Sequence, residues 1–349
     1  MSTEVPSFEE LGGWPGVLTA LLEGTSLSAE QASVVLGQVL SGEATQAQIA
    51  GLATALRSKG ESIEEMTGFV RAMVAHAVPL DLPDGMEVVD TCGTGGTGVS
   101  SFNISTIAAF VVAGAGVRVA KHGNRAISGK VGSADVLEAL GVRIAMSPED
   151  AASAVREIGL GFLFAPHLHP AMKNVQGVRR ELKMRTVFNL LGPLANPARA
   201  QTQVIGAPSA EFARTMAEAL AELGTGHSYV VHGGGLDEVS TAGSTDVYEV
   251  WTGRVEKSVW MPEDFGVPRA SLDALAGGDA ADNARITREI LGGTKGPRRD
   301  IVVVNAGVGL LASGLASTPR EAVAKASEAI DSGRALGVLQ QLQKKFGKE

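Results

Sequence analysis

Cysteine is nearly absent from this sequence: Cys92 stands alone. One cysteine excludes an intrachain disulfide framework and suits a reducing compartment, so Cys92 reads as a small apolar residue beside a loop rather than as a catalytic thiol. No uncharged apolar run reaches the length of a membrane span. The first residues, Met1-Ser2-Thr3-Glu4-Val5-Pro6, have neither the basic nor the apolar part of a secretory leader. The expectation is a soluble, cytoplasmic protein. Internal repeats and low-complexity segments are also missing. An excess of basic residues is lacking too, and a formal net charge of -8 argues against nonspecific binding of nucleic acid. The most informative absence is local. From Thr91 to Ala134 there is no acidic side chain, although the stretch holds Arg118, Lys121, His122, Arg125 and Lys130 and opens with Gly93-Thr94-Gly95-Gly96-Thr97-Gly98. An acidic chain that clears its acids from one glycine-rich stretch has the makings of a pocket for a polyanion, phosphate first of all.

Residue types around that stretch supply a mechanism. Positions 87–91 read as a short strand and 103–110 as the first turns of a helix, with a loop rich in glycine and hydroxyls between them. Glycines let backbone N–H groups approach an anion, and a helix N-terminus adds unpaired donors and partial positive charge. Ser100, Ser101, Asn103, Ser105 and Thr106 contribute side-chain donors at that terminus. The loop also satisfies the dinucleotide fingerprint G-x-G-x-x-G, but that reading needs an acidic residue about 20 positions on. The sequence there is Val117-Arg118-Val119-Ala120-Lys121-His122, which is basic.

With 349 residues and 44% hydrophobic content, the chain has material for two domains. Up to residue 84 the pattern is helical: Ser28-Ala29-Glu30-Gln31 and Ser62-Ile63-Glu64-Glu65 fit the capping box, and Met66, Phe69, Val70, Met73 and Val74 share one face. A helix carrying Ile49, Leu52, Ala55 and Leu56 should stop near Gly60. Beyond Pro79 and Pro83, candidate strands at 87–91, 116–120, 142–146, 161–165, 202–207, 228–232, 247–251 and 301–305 alternate with helical segments. One of these helices is announced by the cap Ser147-Pro148-Glu149-Asp150. The fold class expected is α/β: a small helical domain over 1–84, joined by about 166–198, and a larger domain over 85–165 and 199–349 with a mainly parallel central sheet flanked by helices. The segment 273–283 reads as an exposed loop.

Two further constellations carry chemistry. Lys173, Arg179, Arg180, Lys183 and Arg185 follow His167 and His169. An arginine fork suits a carboxylate, although a charge run of this kind also fits a solvated helix face. Asp237-Glu238 follows a candidate strand and the turn His232-Gly233-Gly234-Gly235. Two carboxylates there suit Mg²⁺, which takes one or two carboxylates plus phosphate oxygens.

Taken together, Asp90-Thr91-Cys92-Gly93-Thr94-Gly95-Gly96, Phe102-Asn103-Ile104-Ser105-Thr106, Lys121-His122-Gly123-Asn124-Arg125, the run from Gly132 to Gly141, His169-Pro170-Ala171-Met172-Lys173 and Gly235-Leu236-Asp237-Glu238 resemble the anthranilate phosphoribosyltransferases of tryptophan biosynthesis, over nearly the whole chain. The resemblance implies transfer of the 5-phosphoribosyl group from phosphoribosyl pyrophosphate (PRPP) to the amine of anthranilate. It implies a homodimer formed through the helical part, and no partner of nucleic acid or membrane. PRPP would be held by Gly93, Thr94, Gly95, Gly96, Thr97, Ser101, Asn103, Ser105, Thr106, Lys121 and Ser133. Mg²⁺ would be held by Ser105, Asp237 and Glu238. Anthranilate would meet Gly93, His122, Asn124 and Arg179, with Arg179 on its carboxylate and His122 as a positioning group, so that no residue serves as acid or base. Two positions depart from the family pattern: Thr97 replaces a common Asp, which predicts an altered response to Mg²⁺, and Lys183 replaces a usual glycine. The alternatives left open are a paralogue using another aromatic amine, a nucleoside phosphorylase, and a non-catalytic relative that binds nucleic acid.

Overall fold

The computed structural model describes residues 5–95, 101–126 and 131–347. Its N-terminal part is helical: α1 (Gly13–Leu22), α2 (Ala29–Ser41), α3 (Gln46–Lys59) and α4 (Ile63–Ala75). Both expected capping boxes form, at Ser28 with Gln31 and at Ser62 with Glu65, and Thr45 with Gln48 makes another. Each cap is worth about 1 kcal/mol, because it satisfies donors that the helix ladder leaves over. Met66, Phe69, Val70 and Met73 of α4 are buried in the core these helices share, and α3 ends at Gly60, whose φ is 89°.

Seven strands among the described residues form one sheet: β1 (Val89–Gly93), β2 (Val119–Gly123), β3 (Leu160–Phe164), β4 (Thr202–Gly206), β5 (His227–His232), β6 (Thr245–Trp251) and β7 (Arg254–Trp260), in the order β3-β2-β1-β4-β5-β6-β7. The pairs up to β5 are parallel, and β6 and β7 are antiparallel additions. The mainly parallel sheet is therefore as expected, with β3, β2, β1 and β4 buried along nearly their whole length.

Helices complete the layers. They are α5 (Ile104–Gly114), α6 (Ser133–Ala139), α7 (Pro148–Glu157), the short α8 (Ala165–Leu168), α9 (Lys173–Leu182), the short α10 (Leu191–Leu194), α11 (Ala210–Glu222), α12 (Ala280–Leu291), α13 (Pro297–Ala312), α14 (Pro319–Asp331) and α15 (Arg334–Phe346). Val175, Val178, Val187, Phe188 and Leu191 pack in the same apolar cluster as α1 to α4, so the segment carrying α9 and α10 leaves the sheet and returns through the helical layer.

Three expectations are corrected, and one strand is new. Residues 142–146 do alternate buried and exposed, but Val142 only bridges Gly347 in isolation and no sheet strand forms. Residues 301–305 lie inside α13. Their unbroken apolar run fits a helix buried on all sides as well as a strand, and Pro297 stands at the first position of the helix. The stretch 273–283 is an exposed loop only in part: Asp273, Ala276 and Asp279 are exposed, but Leu275 is buried, its carbonyl accepts from Phe102 N, and α12 begins at Ala280. Finally, β7 was not anticipated, because Arg254, Glu256 and Lys257 interrupt its apolar residues. It is an edge strand, where charge is tolerated and discourages further pairing. No helix among the described residues is long and apolar enough to cross a membrane.

Candidate active site

β1 and β2 end two and three residues further along than the sequence pattern suggests, so Cys92-Gly93 and Lys121-His122-Gly123 are strand termini. Register sets Gly93 of β1 beside Gly206 of β4. Asp237 crosses both glycines. A Cβ on Gly93 would strike its carboxylate and a Cβ on Gly206 its backbone, so both positions require glycine. The site thus lies at the carboxyl ends of the parallel strands, where α/β sheets gather their ligands.

One end is charged. Lys121 is 3% exposed, and its Nζ donates to the Thr91 carbonyl and lies 3.5 Å from Ser105 Oγ. Burial pulls its pKa down, and Asp90 opposes the fall. Asp90 is itself buried and accepts from His122 N at 3.1 Å and from Asn196 Nδ2 at 2.8 Å. Burial raises its pKa to about 6, against the pull of Lys121. Asp237 Oδ2 accepts from Gly95 N at 2.7 Å. Burial raises both acids of the pair. Glu238 is raised well above the ordinary carboxylate value because the charge of Asp237 adds to its desolvation. Glu238 Oε2 is buried without a hydrogen-bond partner among the described residues.

Some expected donors are already engaged. Asn103 precedes α5 without capping it: its Nδ2 donates to Val131 O, and its Oδ1 accepts from Asn283 on α12. Thr106 is buried with its hydroxyl unpaired among the described residues, while Ser133 Oγ lies 3.3 Å from Asn124 O. Thr94 N is held by Gly206 O, Gly95 adopts a φ of 66°, and Ser101 bridges Ala276. Gly96, Thr97, Gly98, Ser100 and Lys130 lie outside the described residues.

The other end is a cavity of about 200 Å³ between the helical layer and the sheet. Gly93, His122, Asn124 and Arg179 all line it, from β1, β2, the turn after β2 and α9. His122 Nδ1 faces the Gly192 carbonyl at 3.1 Å. A carbonyl can only accept, so Nδ1 carries the proton and the buried Nε2 is an acceptor without a partner among the described residues. Burial lowers the His122 pKa to about 3, and neighbouring His169 adds to the effect, so the ring is neutral. Arg179 is half-buried, which lowers its pKa, and has no ion-pair partner among the described residues. Of the remaining basic run, Lys173 also lines the cavity, Arg180 is exposed, and Arg185 donates to Gly95 O at 3.1 Å, reaching the charged end instead. Lys183 follows α9 with a φ of 48°. The chain keeps a left-handed turn there without the glycine that favours one.

Sequence reasoning missed Met73, Gln176 and Phe188 in the cavity wall, and Asn196 beneath Asp90. Nothing in their local pattern separates them from core or surface. Gly206, by contrast, could have been suspected as a glycine ending a strand.

No group of three His, Cys, Asp or Glu side chains placed to hold a metal occurs among the described residues. Any cation at Asp237 and Glu238 would need oxygens from a ligand to complete its shell.

Comparison with known proteins bears on this arrangement. The model of the glycosyl transferase family, a/b domain, matches residues 85–336, and that of its helical bundle domain matches 15–77. An anthranilate phosphoribosyltransferase from Solibacter usitatus is 54% identical over 320 residues, covering 91% of this chain and 94% of that protein. The crystal structure of anthranilate phosphoribosyltransferase from Thermus thermophilus is similar with a TM-score of 0.89 at 44% identity, over 94% of this chain and 98% of that one. The Saccharomyces cerevisiae enzyme in complex with PRPP and Mg gives a TM-score of 0.87 at 29% identity, over 95% and 97% of the two chains.

Proposed function

The chain belongs to the glycosyl transferase family and, within it, to the anthranilate phosphoribosyltransferases, and on that premise we propose how its two-ended site divides the work. The enzyme transfers the 5-phosphoribosyl group from PRPP to the amine of anthranilate, giving N-(5-phosphoribosyl)anthranilate and pyrophosphate in tryptophan biosynthesis. The observation that carries the division of labour is the meeting of Gly93, His122, Asn124 and Arg179 in one cavity beside the charged strand ends.

Anthranilate occupies the cavity. The Arg179 fork, free of any acidic partner among the described residues, takes its carboxylate. The aromatic amine is neutral at pH 7 and needs no base before it attacks. His122 Nε2 accepts one amine N–H, which orients the nitrogen lone pair towards C1 of the ribose. With a pKa of about 3 the ring stays neutral, positioning the amine rather than taking up its proton. As the N–C1 bond forms, the bond from C1 to the pyrophosphate oxygen breaks, through an oxocarbenium-like transition state and without a covalent enzyme intermediate. The amine proton is lost to water.

PRPP lies along the glycine-rich loop and the start of α5, with Lys121 and Ser105 beneath it. Gly96 and Thr97 are assigned to the same loop from the sequence alone. The acids fit a magnesium ion: two adjacent carboxylates, raised by burial and with one oxygen unsatisfied, are what a cation would relieve. Asp237 and Glu238 would hold Mg²⁺, joined by Ser105, and bound there the ion would offset charge growing on the pyrophosphate. The yeast relative was solved with Mg and PRPP, which supports this use of a cation. A homodimer joined through the helical layer and a cytoplasmic location complete the reading. Incubation with PRPP, Mg²⁺ and anthranilate, followed by the loss of anthranilate fluorescence, tests it. No turnover over a range of pH and Mg²⁺ would overturn it.

A further inference from the structure

Between Leu236 and Ser240 the acidic pair sits on a chain that belongs to neither helix nor strand. Among the described residues, the backbone of Val239, next after Glu238, is bonded by a single side chain. Asn305 Oδ1 accepts from Val239 N at 2.9 Å, and Asn305 Nδ2 donates to Val239 O at 2.9 Å and to Ile301 O at 2.8 Å. One amide thus reads both backbone groups of one residue, as a neighbouring strand would. Asn305 is 5% exposed and is the only polar residue between Ile301 and Ala312 of α13. An amide buried in such an apolar run is costly unless every bond is made, and here its two ends make three.

We propose that Asn305 is a positioning residue for Asp237 and Glu238, fixing the acidic pair by clamping the backbone beside it. The proposal rests on the reading above, in which this pair holds Mg²⁺. Glu238 is buried with an unsatisfied oxygen, so it cannot recover by turning to water. A displacement of about 1 Å at such a site can cost about a hundredfold.

The test compares Asn305→Ala and Asn305→Ser with Val308→Ala, a fully buried apolar truncation on the same helix that reports on stability alone. Serine can still bond Ile301 O, which preserves folding if alanine does not. Calorimetry of PRPP binding across a Mg²⁺ titration is read beside the anthranilate KM. The expected result is a Mg²⁺ half-saturation raised about fivefold or more in either Asn305 variant, an anthranilate KM within twofold of wild type, and no Mg²⁺ shift in Val308→Ala. In an Asp237→Asn, Glu238→Gln background, Asn305→Ala should add nothing. An unchanged Mg²⁺ response, or an equal shift in Val308→Ala, overturns the proposal while leaving the acidic pair in place. A normal Mg²⁺ response in the Asp237→Asn, Glu238→Gln protein removes the metal reading and the proposal with it.

Discussion

At the cavity end of the site the charged groups are the half-buried Arg179 and the exposed Lys173, whereas at the glycine-loop end Lys121, Asp237 and Glu238 are crowded into the strand termini with burial shifting all three towards neutrality. On the proposed reading, the contrast follows from what each end must tolerate. A neutral amine and a planar carboxylate need shape and one guanidinium, so His122 can be sealed in as an uncharged acceptor. A pyrophosphate with its cation brings its own charges, and a protein that prepares for them carries buried ionisable groups that only the ligand will satisfy. One end offers its ligand a neutral acceptor and a half-exposed guanidinium, and the other holds buried ionisable groups that its ligand would compensate.

Replacing Asp237 and Glu238 by their amides should separate the ends most sharply. The expected loss of Mg²⁺-supported kcat is at least about 10²- to 10³-fold, the scale of removing a main stabiliser of developing charge. Circular dichroism should be unchanged, because the amides keep shape. Wild-type kcat in the double variant would end the comparison. Arg179→Ala probes the opposite end. Losing a charge-assisted contact worth about 1.5–3 kcal/mol should raise the anthranilate KM roughly ten- to a hundredfold, with the PRPP KM within twofold. If only the PRPP KM moves, Arg179 belongs to the charged end.

The neutrality of His122 has a pH signature. Its pKa falls from 6.5 to about 3 on folding, so between those values the unfolded chain binds more protons, and this residue's contribution to stability is lost as pH falls from 6.5 towards 3. Asp90, raised from 3.8 to about 6, works in the reverse direction over part of that window. His122→Asn should therefore flatten the acid limb of a denaturation profile. It should not introduce or remove a limb near pH 6.5 in kcat/KM for anthranilate, and a rate limb that vanishes with the histidine would make it a proton carrier. The smallest effect expected is that of Lys183→Gly, which touches neither end: relief of the left-handed strain at φ 48° should add about 0.5–1 kcal/mol of stability with activity unchanged. A thermal melt measures the gain, and a loss of activity would draw this turn into the site.

Legibility differed between the two ends as well. The charged end announced itself, because phosphate chemistry uses local sequence: glycines, hydroxyls, a helix start and a stretch without acids all fall between Gly93 and Lys130. Asp237-Glu238 stood out as a pair after a glycine turn. At the cavity end the residues themselves flagged His122 in the acid-free stretch and Arg179 within a basic run, the family likeness gave them roles and added Asn124, and neither could supply the wall formed by Met73, Gln176 and Phe188. These come from α4, α9 and the turn after it, and no periodicity links residues so far apart.

The sequence alone determined the capping boxes, the alternation that builds a mainly parallel sheet, and the glycine-rich, acid-free composition of the loop, since each depends on neighbours within a few residues. Tertiary structure alone decided that the apolar run at 301–305 is helix, that 273–283 braces Phe102, that Nδ1 of His122 meets Gly192, and that Asn305 holds Val239 from 66 positions away. The physical reason is that a buried donor or acceptor takes whichever partner the packed layers bring to it, and that partner is set by the fold rather than by the residues next in line.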